Sequence, residues 1–176
     1  MKKIILWLAL VLLTFLFVGC AQPEVQEPIS KQFRFKKILF VFDQKYSTTV
    51  KYQSSEVLEK RINDNIIAQL NEKKLLSNEE SMNLLKVNVH YKRQFVGQEI
   101  GLFATESLAP ALIAYDIHVY KNGKEIRTIV KHDQTYNPGF VGNLKTIVGG
   151  NRDDSLENEA ADATANTIVN AIQQLR

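Results

Sequence analysis

Cysteine is all but missing from this chain, whose 176 residues hold one, Cys20. That excludes an internal disulfide and any zinc site built on several cysteines. Tryptophan occurs once, at Trp7, and proline four times. Charge of one sign is scarce too: 22 Lys and Arg stand against 19 Asp and Glu, a formal +3. A balance that even makes no field strong enough to gather nucleic acid, so no nucleic-acid partner is expected. No repeat and no low-complexity tract is present. What the chain does have is 45% apolar and 23% charged residues, the composition of one folded domain.

The amino terminus stands apart from the rest. Lys2 and Lys3 precede a run from Ile4 to Val18 that only Thr14 interrupts, and Gly19-Cys20 follows. A basic start, an apolar stretch shorter than the roughly 20 residues of a membrane span, and a small residue before the cut describe a signal peptide. Leu16-Phe17-Val18-Gly19-Cys20 resembles the lipobox of bacterial lipoproteins, departing from the usual pattern at Phe17. The resemblance implies cleavage before Cys20 and acylation of Cys20, hence a membrane partner held through covalent lipid. Ala21 in the next position, where Asp is the usual retention signal, implies the periplasmic face of the outer membrane rather than the inner membrane. Removing residues 1–19 takes Lys2 and Lys3, so 20 basic residues then face 19 acidic ones. Residues 20–32, with Pro23 and Pro28, read as a tether reaching at most about 40 Å. A single domain is expected over residues 33–176.

Within that domain the apolar periods are clear. Lys36 to Asp43 (KKILFVFD) is apolar on both faces, which predicts a strand inside a sheet. Ser54 or Ser55 can cap a helix running to Lys74, with Leu58, Ile62, Ile66 and Leu70 every four residues and Val57 and Ile67 beside them. Leu85, Val87, Val89 and Tyr91 alternate with polar residues over 84–94, and Ile113, Tyr115, Ile117 and Val119 do so over 112–121. Asn122-Gly123 is a type I′ hairpin signal. A two-residue loop sets Val119 opposite Ile126, Ile117 opposite Thr128 and Tyr115 opposite Val130, and carries His132 onto the end of the apolar face. Asp154 with Glu157 has capping-box spacing before a last helix rich in Ala. The order β-α-β-β-β-α predicts a two-layer α/β (α+β) sandwich, about four strands in a mixed sheet with two helices on one face.

This order, with the Phe95-Val96-Gly97…Gly101 turn, the Asn122-Gly123 hairpin and the Ala-rich final helix, resembles envelope proteins with a TolB amino-terminal-like α/β domain, small lipoproteins among them. The resemblance implies a binding or assembly role and carries over no functional residue.

Chemistry has little to stand on. There is no G-x-S-x-G, no Ser-x-x-Lys and no P-loop ending after Gly139-Phe140-Val141-Gly142. His90, His118 and Asp116 would make a metal site only if adjacent strands brought them together, and a solvated sheet surface accounts for them as well. No enzyme activity, metal or cofactor is expected. Two features suit a partner. Phe95, Ile100, Leu102, Phe103, Leu108 and Leu112 lie in an apolar segment, 95–114, too long for a hairpin loop. That segment suits an interface, or a lid over an apolar pocket for a small molecule or lipid. Lys86, His90, Lys92, His118, Tyr120 and Arg127 would form a polar face opposite the helices, fit to dock a protein of the envelope.

Overall fold

The computed structural model describes residues 27–98, 105–137 and 152–175. Their elements are β1 (Phe33–Arg34), β2 (Leu39–Gln44), α1 (Ser55–Glu72), β3 (Asn83–Phe95), β4 (Leu108–Lys121), β5 (Lys124–Thr135) and α2 (Ser155–Gln173). The strands make one mixed sheet. β4 pairs antiparallel with β3, and β5 with β4. On the other side of β3, β1 and β2 pair parallel to it one after the other, opposite Asn83–Leu84 and Asn88–Arg93. The two-layer α/β sandwich read from the sequence is what forms, with one extra strand because the first is broken between Arg34 and Leu39.

The odd positions of β3 and β4 build the core. Leu85, Val87, Val89, Tyr91, Ile113, Tyr115, Ile117 and Val119 are all buried. Against them lie Leu58, Ile62, Ile66 and Leu70 of α1, spaced by four so that one stripe faces the sheet. Ala160, Ala161, Ala165 and Ala171 of α2 are buried as well, and α2 packs on both α1 and β4. The Ser54 side chain accepts from the Val57 N–H and starts α1. Val57, expected beside the apolar stripe, is 52% exposed.

Four expectations need correction. The apolar 36–43 run is not inside the sheet: β2 is an edge strand, with Ile38 buried but Leu39 63% and Val41 41% exposed. Both faces read as buried only because the outward side also carries apolar residues. Next, the hairpin register slips. Tyr120 opposes Glu125, but Val119 opposes Arg127, so Ile126 is an extra residue, a β-bulge. The bulge sets Ile129, not Thr128, against Ile117, and Ile126 and Ile129 both reach the core. It also turns Arg127 to the helix side and leaves Val130 and His132 exposed, so neither Arg127 nor His132 has its expected place. Third, β4 begins at Leu108, and Pro110 sits in a bulge opposite Arg93, where no ladder N–H is needed. The 95–114 segment is therefore strand at Phe95 and from Leu108 on, with a turn at 96–98; residues 99–104, including Ile100, Leu102 and Phe103, lie outside the described residues. Fourth, residues 27–32 are not free tether. Ile29 packs on the core, the Ser30 N–H donates to Asn83 Oδ1 at 2.6 Å, and Glu27 lies 3.4 Å from Lys121 and 3.8 Å from Lys124.

The end of α1 departs from its expected limit for a local reason. Lys74 has φ +54°, and the Leu75 N–H reaches back to the Leu70 carbonyl at 2.8 Å. That is a Schellman close with lysine where glycine usually stands. Lys74→Gly should therefore raise the unfolding free energy by about 1 kcal/mol in urea denaturation; an unchanged or lower value would count against strain at this residue.

Candidate functional site

The face of the sheet opposite the helices is formed by the even positions of β3 and β4, by Glu125 opposite Tyr120, and by Thr128 and Val130 of β5, which the bulge turns toward it. Of the expected docking residues, Lys86, His90, Lys92, His118 and Tyr120 lie here, joined by Asn88, Asp116, Glu125, Thr128 and Val130. At the hairpin end these side chains make one network. Asn88 Nδ2 donates to Asp116 Oδ2 at 2.5 Å, and the same oxygen lies 3.0 Å from His118 Nε2. His118 Nδ1 lies 3.0 Å from Glu125 Oε2 and 3.2 Å from Thr128 Oγ1. Tyr120 donates to Glu125 at 3.2 Å, and Lys86 Nζ sits 4.6 Å from the Tyr120 ring centre.

Both nitrogens of His118 thus lie within hydrogen-bond distance of a carboxylate oxygen, so the ring bridges Asp116 and Glu125. Burial alone would raise the Asp116 carboxyl, but the bonds from Asn88 and His118 outweigh it and hold it below the usual range. Glu125 is also held low, first by the Thr128 hydroxyl and then by Tyr120 and His118. The two histidines do not converge: His118 pairs with Lys86 and His90 with Ala114, about 13 Å apart along β3. Among the described residues no three His, Cys, Asp or Glu are grouped to hold a metal.

At the other end of this face a groove of about 240 Å³ runs between β2 and β4. Val41, Asp43, His90, Lys92, Leu112 and Ala114 line it. It is smaller than the roughly 300–1,000 Å³ of small-molecule pockets. Of the apolar candidates, Leu112 is here, whereas Phe95 and Leu108 are only 2% and 1% exposed. These two join Leu156, Tyr46, Tyr52 and Tyr136 in a second small core. Cys20 lies outside the described residues.

A buried ion pair went unread in the sequence. Arg93 Nε and Nη2 donate to the two oxygens of Glu157 at 2.7 and 2.9 Å, with side chains only 6% and 3% exposed. Arg93 Nη1 donates to Gln44 Oε1 at 2.7 Å, Nη2 also to the Gln53 carbonyl at 2.6 Å, and the guanidinium lies 4.8 Å from the Phe42 ring centre. Glu157 is therefore no capping-box partner. The Asp154 side chain makes no cap bond, and Asp153 accepts from the Ser155 N–H at 3.0 Å instead. Burial raises the Glu157 carboxyl, and Arg93 pulls it back. The signal was parity: Arg93 continues the odd, buried series Leu85–Tyr91, ahead of Phe95.

No known protein family matches this chain, and no curated protein resembles it closely enough to count. Among solved structures it is similar to a minor lipoprotein of Acinetobacter baumannii, at 15% identity and a TM-score of 0.35, covering 77% of this chain and 91% of that one. It is similar to a protein titled only as uncharacterized, at 15% identity and TM-score 0.37, covering 84% and 95%. A third is rare lipoprotein B from Shewanella oneidensis, at 13% identity and TM-score 0.30, covering 78% and 98%. At such scores nothing about this chain's function follows from them.

Two outcomes are expected. Glu157→Ala should cost about 3–5 kcal/mol by leaving the Arg93 charge buried and unpaired, while Arg93→Met with Glu157→Leu should recover most of it in the same denaturation assay. Because the folded-state pKa of Asp116 is depressed, its contribution is present above the unfolded carboxylate range, about pH 4, and is lost as pH falls through the folded value. Melting temperature should thus drop on acidification there, and drop less for Asp116→Asn; equal slopes would refute the network's part in stability.

Proposed function

We propose that the protein is a bacterial envelope lipoprotein, held at the membrane by acyl chains on Cys20, that works by binding a protein partner and not by catalysis. The observation that carries the anchor is the lipobox-like Leu16–Cys20 stretch, in which the only cysteine stands where acylation requires it. Ala21 favours the periplasmic face of the outer membrane. The partner surface in this reading is the open sheet face, from the Lys86–Tyr120 end to the groove beside Val41 and Lys92. Its support is that among the described residues no helix covers it, and that apolar floor and charged rim alternate as in docking surfaces. His118 with both nitrogens engaged favours a recognition role over acid–base work.

A second reading, a lipid or small-molecule module lidded by residues 95–114, has less behind it, since Phe95 and Leu108 are spent in packing. Copurifying lipid in native mass spectrometry would favour it. Pulldown of the full-length protein in mild detergent tests the first: Lys92→Glu, on the half-buried groove rim, should release the partner while the protein still melts cooperatively. Capture of no protein, by either version, would overturn the adaptor reading. Cys20→Ser should leave an unlipidated precursor or a soluble product, because acyl chains at about 0.8 kcal/mol per buried CH₂ supply the membrane affinity. If the Cys20→Ser protein still carries lipid by mass, the anchor reading fails.

A further inference from the structure

The two pieces of the first edge differ in how that edge is closed. β1 is covered on its outer side: the Phe33 N–H donates to the Leu75 carbonyl at 2.8 Å, and the Ser77 N–H donates to the Phe33 carbonyl at 2.9 Å. β2, six residues long, pairs only with β3 among the described residues. Its outer row of backbone donors and acceptors is therefore available, and its outward side chains Leu39 and Val41 are among the largest exposed apolar groups in the fold. An unpaired apolar edge is a template for another strand.

We infer that β2 pairs antiparallel with β2 of a second copy of this chain, about a two-fold axis at Phe40. Charge complementarity selects both the partner and the register. Two identical strands related by a two-fold axis meet with residues of the same face opposite each other. Centred on Phe40, Leu39 meets Val41 of the second copy and Lys37 meets its Asp43, each twice over by symmetry. Centred on Val41, Lys37 would face Lys45, like against like. Centred on Phe42, Leu39 would face Lys45 and Val41 would face Asp43, apolar against charged. Only the Phe40 register matches apolar with apolar and opposite charge with opposite charge, the pairs that stabilise a sheet. Among the described residues neither Lys37 nor Asp43 is engaged in an ion pair.

One pair of six-residue strands buries less than the roughly 800 Å² per partner of a standard interface. The dimer is accordingly weak in dilute solution and gains from confinement, which raises the effective concentration of the two copies. The pairing itself does not depend on the lipid-anchor reading.

Cysteine cross-linking tests the register directly, because Cys20 is the only native thiol. Full-length Leu39→Cys and Val41→Cys proteins, coexpressed under distinguishable tags and mildly oxidised, should form the mixed disulfide. Val41→Cys alone should form several-fold less, and wild type reports any bridge through Cys20 itself. Lys37→Asp or Asp43→Lys should each reduce the mixed disulfide several-fold, and the two together in both copies should restore it. Melting curves of each variant confirm folding, and the substituted positions are exposed. A mixed yield no higher than that of Val57→Cys with itself, on the exposed side of α1, overturns the dimer. A higher yield for Val41→Cys alone, or no restoration by the charge exchange, overturns this register.

Discussion

A guanidinium taken out of water must have its N–H groups answered, and Arg93 gets its answers from three separate parts of the chain. Gln44 ends β2, the Gln53 carbonyl precedes α1, Glu157 opens α2, and Arg93 itself is on β3. Helices slide easily over a greasy sheet, since apolar contact has no direction. The charged pair has direction. It fixes where α2 starts relative to the central strand, and it draws the end of the edge strand to the same point. A buried pair of this kind adds little net stability over a well-packed apolar substitute, so its contribution lies in defining one arrangement. Phe42 spans both systems, lying against the guanidinium and stacked at 6.1 Å on Tyr91.

Local period carried most of the fold into the sequence. The stripe Leu58, Ile62, Ile66, Leu70 and the alternations of β3 and β4 are read correctly because each residue's partner lies across a single repeating face. In the hairpin, where the register slipped, one extra residue was at fault. Ile126 shifts a register that turn chemistry and alternation both favoured, since a bulge leaves no mark on the pattern except that a different isoleucine ends up inside. Pro110 is likewise taken into β4 by a register shift opposite Arg93. The candidate site was half legible. Lys86, His90, Lys92, His118 and Tyr120 share a face by parity alone, and the two-residue turn already sets Glu125 opposite Tyr120, whereas Thr128 joins them only through the bulge. Arg93 and Glu157 escaped because charged residues are read as surface unless parity is followed through them.

The open face and the β2 edge meet at the groove. Val41 and Asp43 belong to both, lining the groove from the strand that carries the unpaired edge. Two copies joined there would set their open faces in one plane and lengthen the groove with Leu39 of the neighbour. A surface too small in one copy to hold much would then become a broad, continuous one.

The ion pairs of Glu27 with Lys121 and Lys124 have a further consequence for how the molecule would stand on a membrane under the proposed anchor. They bring Glu27 to the hairpin tip, so an anchor at Cys20 would leave a leash of six residues, at most about 19 Å when drawn out. Such a leash is shorter than the sheet is long, and it leaves from one end of the strands. In a pair joined at β2 the two leashes leave from opposite ends. Both can meet one bilayer only if the joined sheet lies flat above it, like a raft moored at two corners.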